Sequence, residues 1–229
     1  MTKKTIIINY VILGLLFILN IFASVYFFTH NDTERIFDEN ILKVVEIKVS
    51  NDEETWGYAT GFFIDSNGTI LTNKHVVYNS SEDSNYSVIK VRLANVDEWL
   101  DAEVLKVSET DDLAEIKIDK EGTEYFKIES ALSNGETIYT IGNPNGFGLS
   151  FTNGVVSSVL RNVIYNEQTI PAIQTSFVIN EGNSGGPVFN DEGNLVGIIS
   201  FRLKDKYSEV IQGVSFALPY ATIKSFLTD

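Results

Sequence analysis

Residues 180–187 read NEGNSGGP, a serine set among three glycines with a proline closing the run. Glycine permits backbone turns that side chains forbid and proline fixes one torsion, so the stretch describes a tight loop with the Ser184 hydroxyl projecting from it. Such a loop suits acyl transfer. Ser184 can attack a carbonyl, and if the N–H groups of Gly182 and Ser184 turn the same way they hold the oxyanion of the tetrahedral intermediate. A plain hairpin loop of Gly, Asn and Ser has the same composition.

The residues from Gly182 to Gly186 also spell G-x-S-x-G, the spacing of an α/β-hydrolase nucleophile elbow. An elbow needs a helix directly after the serine and a histidine later in the chain. Here Pro187 opens an apolar, strand-like run and no histidine follows Ser184. The general base must lie upstream, where there are two histidines, His30 and His75. His30 sits in a polar stretch directly after the apolar N-terminal run, which leaves His75. Two apolar runs, residues 61–64 and 69–72, flank the turn 65–68 (DSNG), so the second strand of a hairpin delivers His75 at its C-terminal end. A neutral imidazole needs a partner that fixes its tautomer, ideally a carboxylate. Asp112, at the start of the strand-like run 112–118, is the candidate, and Asp111 is its neighbour; which of the two points inward depends on register. Asp65 is taken up by a turn. The order His75, Asp112, Ser184 is the chymotrypsin-type order.

The elements that must position these groups are strands. Val45, Ile47 and Val49 alternate with Glu46 and Lys48; Ile89, Val91 and Leu93 alternate with Lys90 and Arg92; Ala114, Ile116 and Ile118 alternate with Glu115 and Lys117. Further apolar runs at 137–141, 194–201 and 210–218 are separated by turn signals such as Asn134-Gly135 and Glu192-Gly193. About a dozen short strands with no long helix between them predict closed β-barrels. Only residues 219–227 read as a short helix.

The chain has 229 residues, 44% hydrophobic and 21% charged, which is enough to bury a core. A formal net charge of −14 repels a phosphate backbone, so nucleic acid is excluded as a partner. With no cysteine and two histidines, zinc, iron–sulfur and disulfide sites lack ligands. The acidic clusters 51–54 and 109–112 lack the spacing and central glycine of a calcium loop, so no metal is expected. Residues 6–28 carry no charge over 23 positions and span roughly 35 Å as a helix. Lys3 and Lys4 precede this run, while Asp32, Glu34 and Arg35 follow it. The positive-inside rule therefore places residues 1–5 in the cytoplasm, a single-pass anchor at 6–28, a polar tether at 29–40, and an extracytoplasmic domain at 41–229. A cleaved signal peptide is the alternative, disfavoured by the length of the run and the lack of an A-x-A site.

Three segments, 61–77 (GFFIDSNGTILTNKHVV), 112–118 (DLAEIKI) and 172–189 (AIQTSFVINEGNSGGPVF), resemble the HtrA (DegP/DegQ-like) branch of the trypsin-fold serine proteases. Weaker matches at 141–144 (IGNP), 154–157 (GVVS) and 213–219 (GVSFALP) fall in the same order. The resemblance implies an all-β, chymotrypsin-like double β-barrel behind one N-terminal transmembrane helix, with the site in the cleft between barrels. It implies His75 as general base, Asp112 as its orienter and Ser184 as nucleophile. Gly182 and Ser184 would form the oxyanion hole, with Asn183 shaping the turn, and no cofactor is implied. Glu181 departs from the small residue or proline usual at its position. The chain ends ten residues after Pro219, which leaves no room for the C-terminal PDZ domains of many relatives. Trimers are common in the family, and a homotrimer is left open.

By the same resemblance Val178, six residues before the nucleophile, lies at the base of the substrate pocket, with Ile199, Ser200 and Phe201 as its wall. An apolar floor excludes lysine and arginine, because burying an unpaired cation costs several kcal/mol. The expectation is a membrane-anchored endopeptidase acting on unfolded or misfolded extracytoplasmic polypeptides after small or apolar residues. The alternative is a non-catalytic, anchored domain that holds peptides without cutting them.

Overall fold

The computed structural model describes residues 3–29, 32–128, 132–165, 168–204, 207 and 209–228. The chain divides into two units, Met1–Arg35 and Ile36–Asp229. In the first, α1 (Lys3–Thr29) is a 27-residue helix whose described side chains are exposed on every face, among them Leu13, Phe17, Leu19 and Phe22. Among the described residues no helix is long and apolar enough to cross a membrane.

The expected tether is largely helical. Residues Asp32–Asn40 form α2, whose last residues, from Ile36, belong to the second unit. Ile36 and Asn40 turn inward at helical spacing, with Phe37 beside them, while Asp38 and Glu39 face solvent, which a reading by overall polarity misses. Ile36 is buried, Phe37 packs edge-on against Phe151, and Asn40 caps the turn by donating to the Ile36 carbonyl at 2.7 Å. His30 lies outside the described residues.

The strands follow the alternation of the sequence. In the first half they are β1 (Val44–Ser50), β2 (Gly57–Phe63), β3 (Thr69–Thr72), β4 (Tyr78–Asn79), β5 (Ser84–Asn85), β6 (Val88–Leu93), β7 (Leu100–Asp101), β8 (Glu103–Val107) and β9 (Ala114–Lys117). Between β3 and β4 the chain makes one helical turn, α3 (Lys74–Val77). Seven of these strands form one sheet in the order β7-β6-β1-β2-β3-β9-β8. The expectation of a hydrogen-bonded closed barrel is thus not met in this half. The two edges, β7 and β8, are nevertheless successive parts of one segment joined at Ala102, so the sheet must roll up to bring them together. Glu46 on β1 is buried on the outer face because Arg92 of the neighbouring strand covers it with two parallel hydrogen bonds, 2.9 and 3.1 Å.

The second half is a closed barrel of β10 (Thr137–Gly142), β11 (Ser150–Tyr165), β12 (Gln168–Thr175), β13 (Pro187–Phe189), β14 (Leu195–Lys204) and β15 (Val210–Pro219), ordered β10-β11-β12-β15-β14-β13. The terminal helix α4 (Tyr220–Thr228) follows. Between the two halves lies one apolar seam. Phe62, Leu71 and Leu113 from the first meet Ile141, Phe189, Ile198 and Leu218 from the second, with Phe126 edge-on to Phe62 at 5.7 Å and tilted on Phe189 at 5.2 Å. Burial of this seam fixes the two sheets against each other, and so fixes any group that each presents at its rim.

Candidate active site

His75 does not end a strand, as the sequence suggested, but sits in the helical turn α3 just after β3. Asp112 comes from the turn between β8 and β9. That turn is tied by Ser108, whose N–H donates to the Leu113 carbonyl at 2.9 Å and whose hydroxyl accepts from Asp111 N–H at 3.0 Å. The register question between the two aspartates has a structural answer: Asp111 accepts from the Thr110 hydroxyl, while Asp112 faces His75. The Nδ1 of His75 lies 2.8 and 2.9 Å from the two carboxylate oxygens of Asp112, and the His75 backbone N–H donates to Oδ1 at 3.0 Å.

A third donor to this carboxylate comes from the other barrel. The Ser200 hydroxyl donates to Asp112 Oδ2 at 2.6 Å. Ser200 reaches it because β14 slips register against β15 between Ile199 and Phe201, which leaves Ser200 as the extra residue of a bulge. Sequence reasoning gave Ser200 a place in the pocket wall and missed its hydrogen bond to Asp112. A carboxylate that accepts from Nδ1–H leaves the lone pair on Nε2, the tautomer a general base requires.

Ser184 stands in the loop between β12 and β13, and it lines the same cleft of about 660 Å³ as His75, Asp112 and Ser200. Among the described residues its hydroxyl makes no hydrogen bond. The loop is held by its carbonyls. Glu181 O accepts from Asn145 N–H at 2.7 Å, Gly182 O from the Thr60 hydroxyl at 2.7 Å, Asn183 O from Gly186 N–H at 3.0 Å and Ser184 O from Thr60 N–H at 2.9 Å. In a trans peptide the C=O and N–H point opposite ways, so fixing the Glu181 and Asn183 carbonyls aims the Gly182 and Ser184 N–H groups away from these partners. Neither of those two N–H groups donates to another group among the described residues. Asn183 closes the turn, its N–H donating to Asn180 O at 3.1 Å and its side chain packed on Gly142.

Of the expected pocket residues, Phe201 lines the cleft, whereas Val178 does not and is 58% exposed. Along 177–180 burial alternates as it does in a strand: Phe177 and Ile179 are buried, Val178 and Asn180 exposed. Ile179, one residue on from the expected floor, borders the cleft, but its side chain is buried in the barrel-interior cluster with Phe177 and Ile199. Its carbonyl is held by Arg202 Nη1 at 2.9 Å. Ile199 is fully buried and belongs to the barrel interior rather than the wall. Gly182 and Asn183 shape the loop without lining the cleft.

The environment of His75 predicts a pH profile. Packing in the cleft lowers its pKa, but the hydrogen bond and the charge of Asp112 raise it by more, and the net shift is upward from 6.5. Only the neutral ring accepts a proton. The acid limb of kcat/KM is therefore expected above pH 6.5, and Asp112→Asn should move it downward; a limb unmoved by that change would contradict the pairing. The stability effect has the opposite sense. Because the folded-state pKa is raised, the His75–Asp112 contribution is fully present below pH 6.5 and is lost as the pH rises through the folded value. With the ring 48% exposed, solvent screens that contribution.

Residues 59–198 match the family described as "Trypsin-like peptidase domain", more than half of the chain. The chain belongs to the trypsin-like peptidase family. Within this family it is similar to HtrA-type enzymes. It is 39% identical over 168 residues to a "Probable periplasmic serine endoprotease DegP-like" of Pseudomonas fluorescens, covering 72% of this chain and 33% of that protein. A protein of the same description from Hahella chejuensis is 40% identical over 169 residues, covering 73% and 34%. The chain thus spans about a third of the length of these curated relatives. Among solved structures, "HtrA-type protease AlgW with tripeptide" superposes with a TM-score of 0.73 at 26% identity, covering 84% of this trypsin-like chain and 61% of that one.

Proposed function

We propose that this chain is a serine endopeptidase, anchored by α1 with its catalytic unit outside the cytoplasm, that cuts unfolded or misfolded polypeptides after small or apolar residues. The observation that carries the chemistry is the His75–Asp112 couple, 2.8 Å apart in a cleft shared with Ser184. His75 Nε2 takes the proton of Ser184 as Oγ bonds to the peptide carbonyl carbon, and Asp112 stays ionised while it steadies the imidazolium. The Gly182 and Ser184 N–H groups receive the oxyanion. His75 then gives its proton to the leaving amine, and water repeats the sequence on the acyl-enzyme to release the acid and restore Ser184. The test is hydrolysis of an unfolded protein such as casein by the full-length chain in detergent, with Ser184→Ala as the control. Binding without cleavage would favour a peptide-holding domain instead.

For specificity, Phe201 and Ile170 give the cleft apolar lining, and Arg202 and Lys74 have carbonyl partners. One methylene is worth about 1 to 3 kcal/mol in such a pocket, so preference among valine, alanine, isoleucine and phenylalanine should be graded. Sequencing the released peptides checks this. A majority of cuts after lysine or arginine would overturn it.

The anchor rests on the 23 uncharged residues at 6–28, the lysines on one side of them, and the apolar side chains exposed around α1. Relatives described as periplasmic agree with an extracytoplasmic catalytic unit. In spheroplasts, added protease should degrade the catalytic unit while the protein stays in the membrane fraction. Mature protein beginning near Ser24 would mean that the segment is a cleaved signal and not an anchor.

A further inference from the structure

Thr60 is a fully buried residue of β2 that does not line the cleft. It nonetheless holds the nucleophile loop at two points. Its hydroxyl donates to Gly182 O at 2.7 Å and its N–H donates to Ser184 O at 2.9 Å. The same hydroxyl accepts from Asn143 N–H at 2.9 Å, and the Thr60 carbonyl accepts from the Thr72 hydroxyl at 2.8 Å. This works because β2 pairs with β3 only at Phe62 and Phe63; one turn of the strand earlier, its edge is free to meet the second barrel. The clearance is small. A Cβ on Gly185 would stand 2.1 Å from Thr60 O, and one on Gly182 would stand 2.1 Å from Asn143 O.

Resting on the reading of this chain as a serine endopeptidase, we infer that Thr60 is a positioning residue for the oxyanion donors. A hydroxyl that is donor to one loop and acceptor from another fixes the separation of both. Here it ties residues 142–145 to residues 181–184, the two stretches whose contact orients the Gly182 peptide. The Asn145 N–H that holds the Glu181 carbonyl belongs to the stretch that Thr60 anchors through Asn143. Without the hydroxyl, Gly182 O and Asn143 N–H are both left unpaired in a buried place, and the strain of re-pairing them falls on the peptides that carry the donors. Because an oxyanion contact is made only in the transition state, the loss should appear in kcat and not in KM.

The test uses the full-length chain in detergent, with wild type, Thr60→Val, Thr60→Ala and Thr60→Ser. A fluorophosphonate gives both the titrated fraction of active sites and the rate of acylation, and a peptide substrate gives kcat and KM per titrated site. Wild type that fails to react at all would sink the endopeptidase reading itself. With wild type reactive, Thr60→Val and Thr60→Ala should titrate fully but acylate about 10- to 100-fold more slowly at unchanged KM, part of the roughly 10²- to 10³-fold worth of one oxyanion donor. Thr60→Ser, which keeps the hydroxyl, should come within about threefold of wild type. A merely structural role would lower the titrated fraction and leave the rate per site alone. That result, or a Thr60→Ala rate within threefold of wild type, would overturn the inference.

Discussion

Ser184→Ala, His75→Ala and Asp112→Ala should each lower proteolysis of an unfolded substrate by about 10⁴-fold or more, and the double variants should be hardly worse than the worst single one. Non-additivity is the informative part. Ser184 without a base is a weak nucleophile, and His75 without Asp112 loses the partner that keeps its proton on Nδ1. Removing any one group leaves only what the oxyanion donors and substrate binding supply. Asp112→Ala also leaves the Ser200 hydroxyl and the His75 backbone N–H without their acceptor, so its loss should be accompanied by a change in thermal stability that Ser184→Ala does not share. His75→Ala retaining more than about a tenth of wild-type activity would remove His75 from the role of base.

Gly182→Ala should be the next most costly change, without touching any side chain of the triad. Gly182 has φ +94°, a region that L side chains rarely adopt, and a Cβ there would meet Asn143 O at 2.1 Å and Asn145 N at 2.9 Å. Both neighbours are backbone and neither can swing aside. The 181–182 peptide must therefore rotate or the two loops part, and in either case the Gly182 N–H leaves its place. Loss of one such donor costs about 10²- to 10³-fold in kcat. The check is kcat/KM beside the circular dichroism of the variant: a folded Gly182→Ala protein with at least half of wild-type activity would show that the Gly182 N–H does not serve as a donor.

Much of this site could be read from residue types, and the unread part has physical causes. His75 stood out because the chain has two histidines, and Ser184 because three glycines and a proline surround it. The strands followed from period-2 alternation, which survives wherever one face is buried. That same period explains why Val178 faces outward: counting back from Ser184 gives a position, but only burial gives the phase, and Phe177 and Ile179 are the ones turned into the barrel. Ser200 was assigned to a wall because a bulge that turns one residue out of register leaves no mark in composition. The helix Asp32–Asn40 was hidden by its acidic outer face, since two inward apolar residues in nine are too few to set a pattern. Thr60 gave no signal at all. Its partner Gly182 lies 122 residues away, and contacts at that range belong to the assembled fold rather than to any local stretch.

The most direct measurement of the central claim is mass spectrometry of the full-length protein after treatment with a fluorophosphonate, at a pH on the plateau above the acid limb of kcat/KM. An activated serine, giving its proton to His75, displaces fluoride and keeps the phosphonyl group on Oγ, whereas an ordinary surface serine does not react at a comparable rate. The account predicts one adduct per chain, on the peptide carrying Ser184, abolished in His75→Ala. No adduct, or an adduct on any other serine, would contradict it.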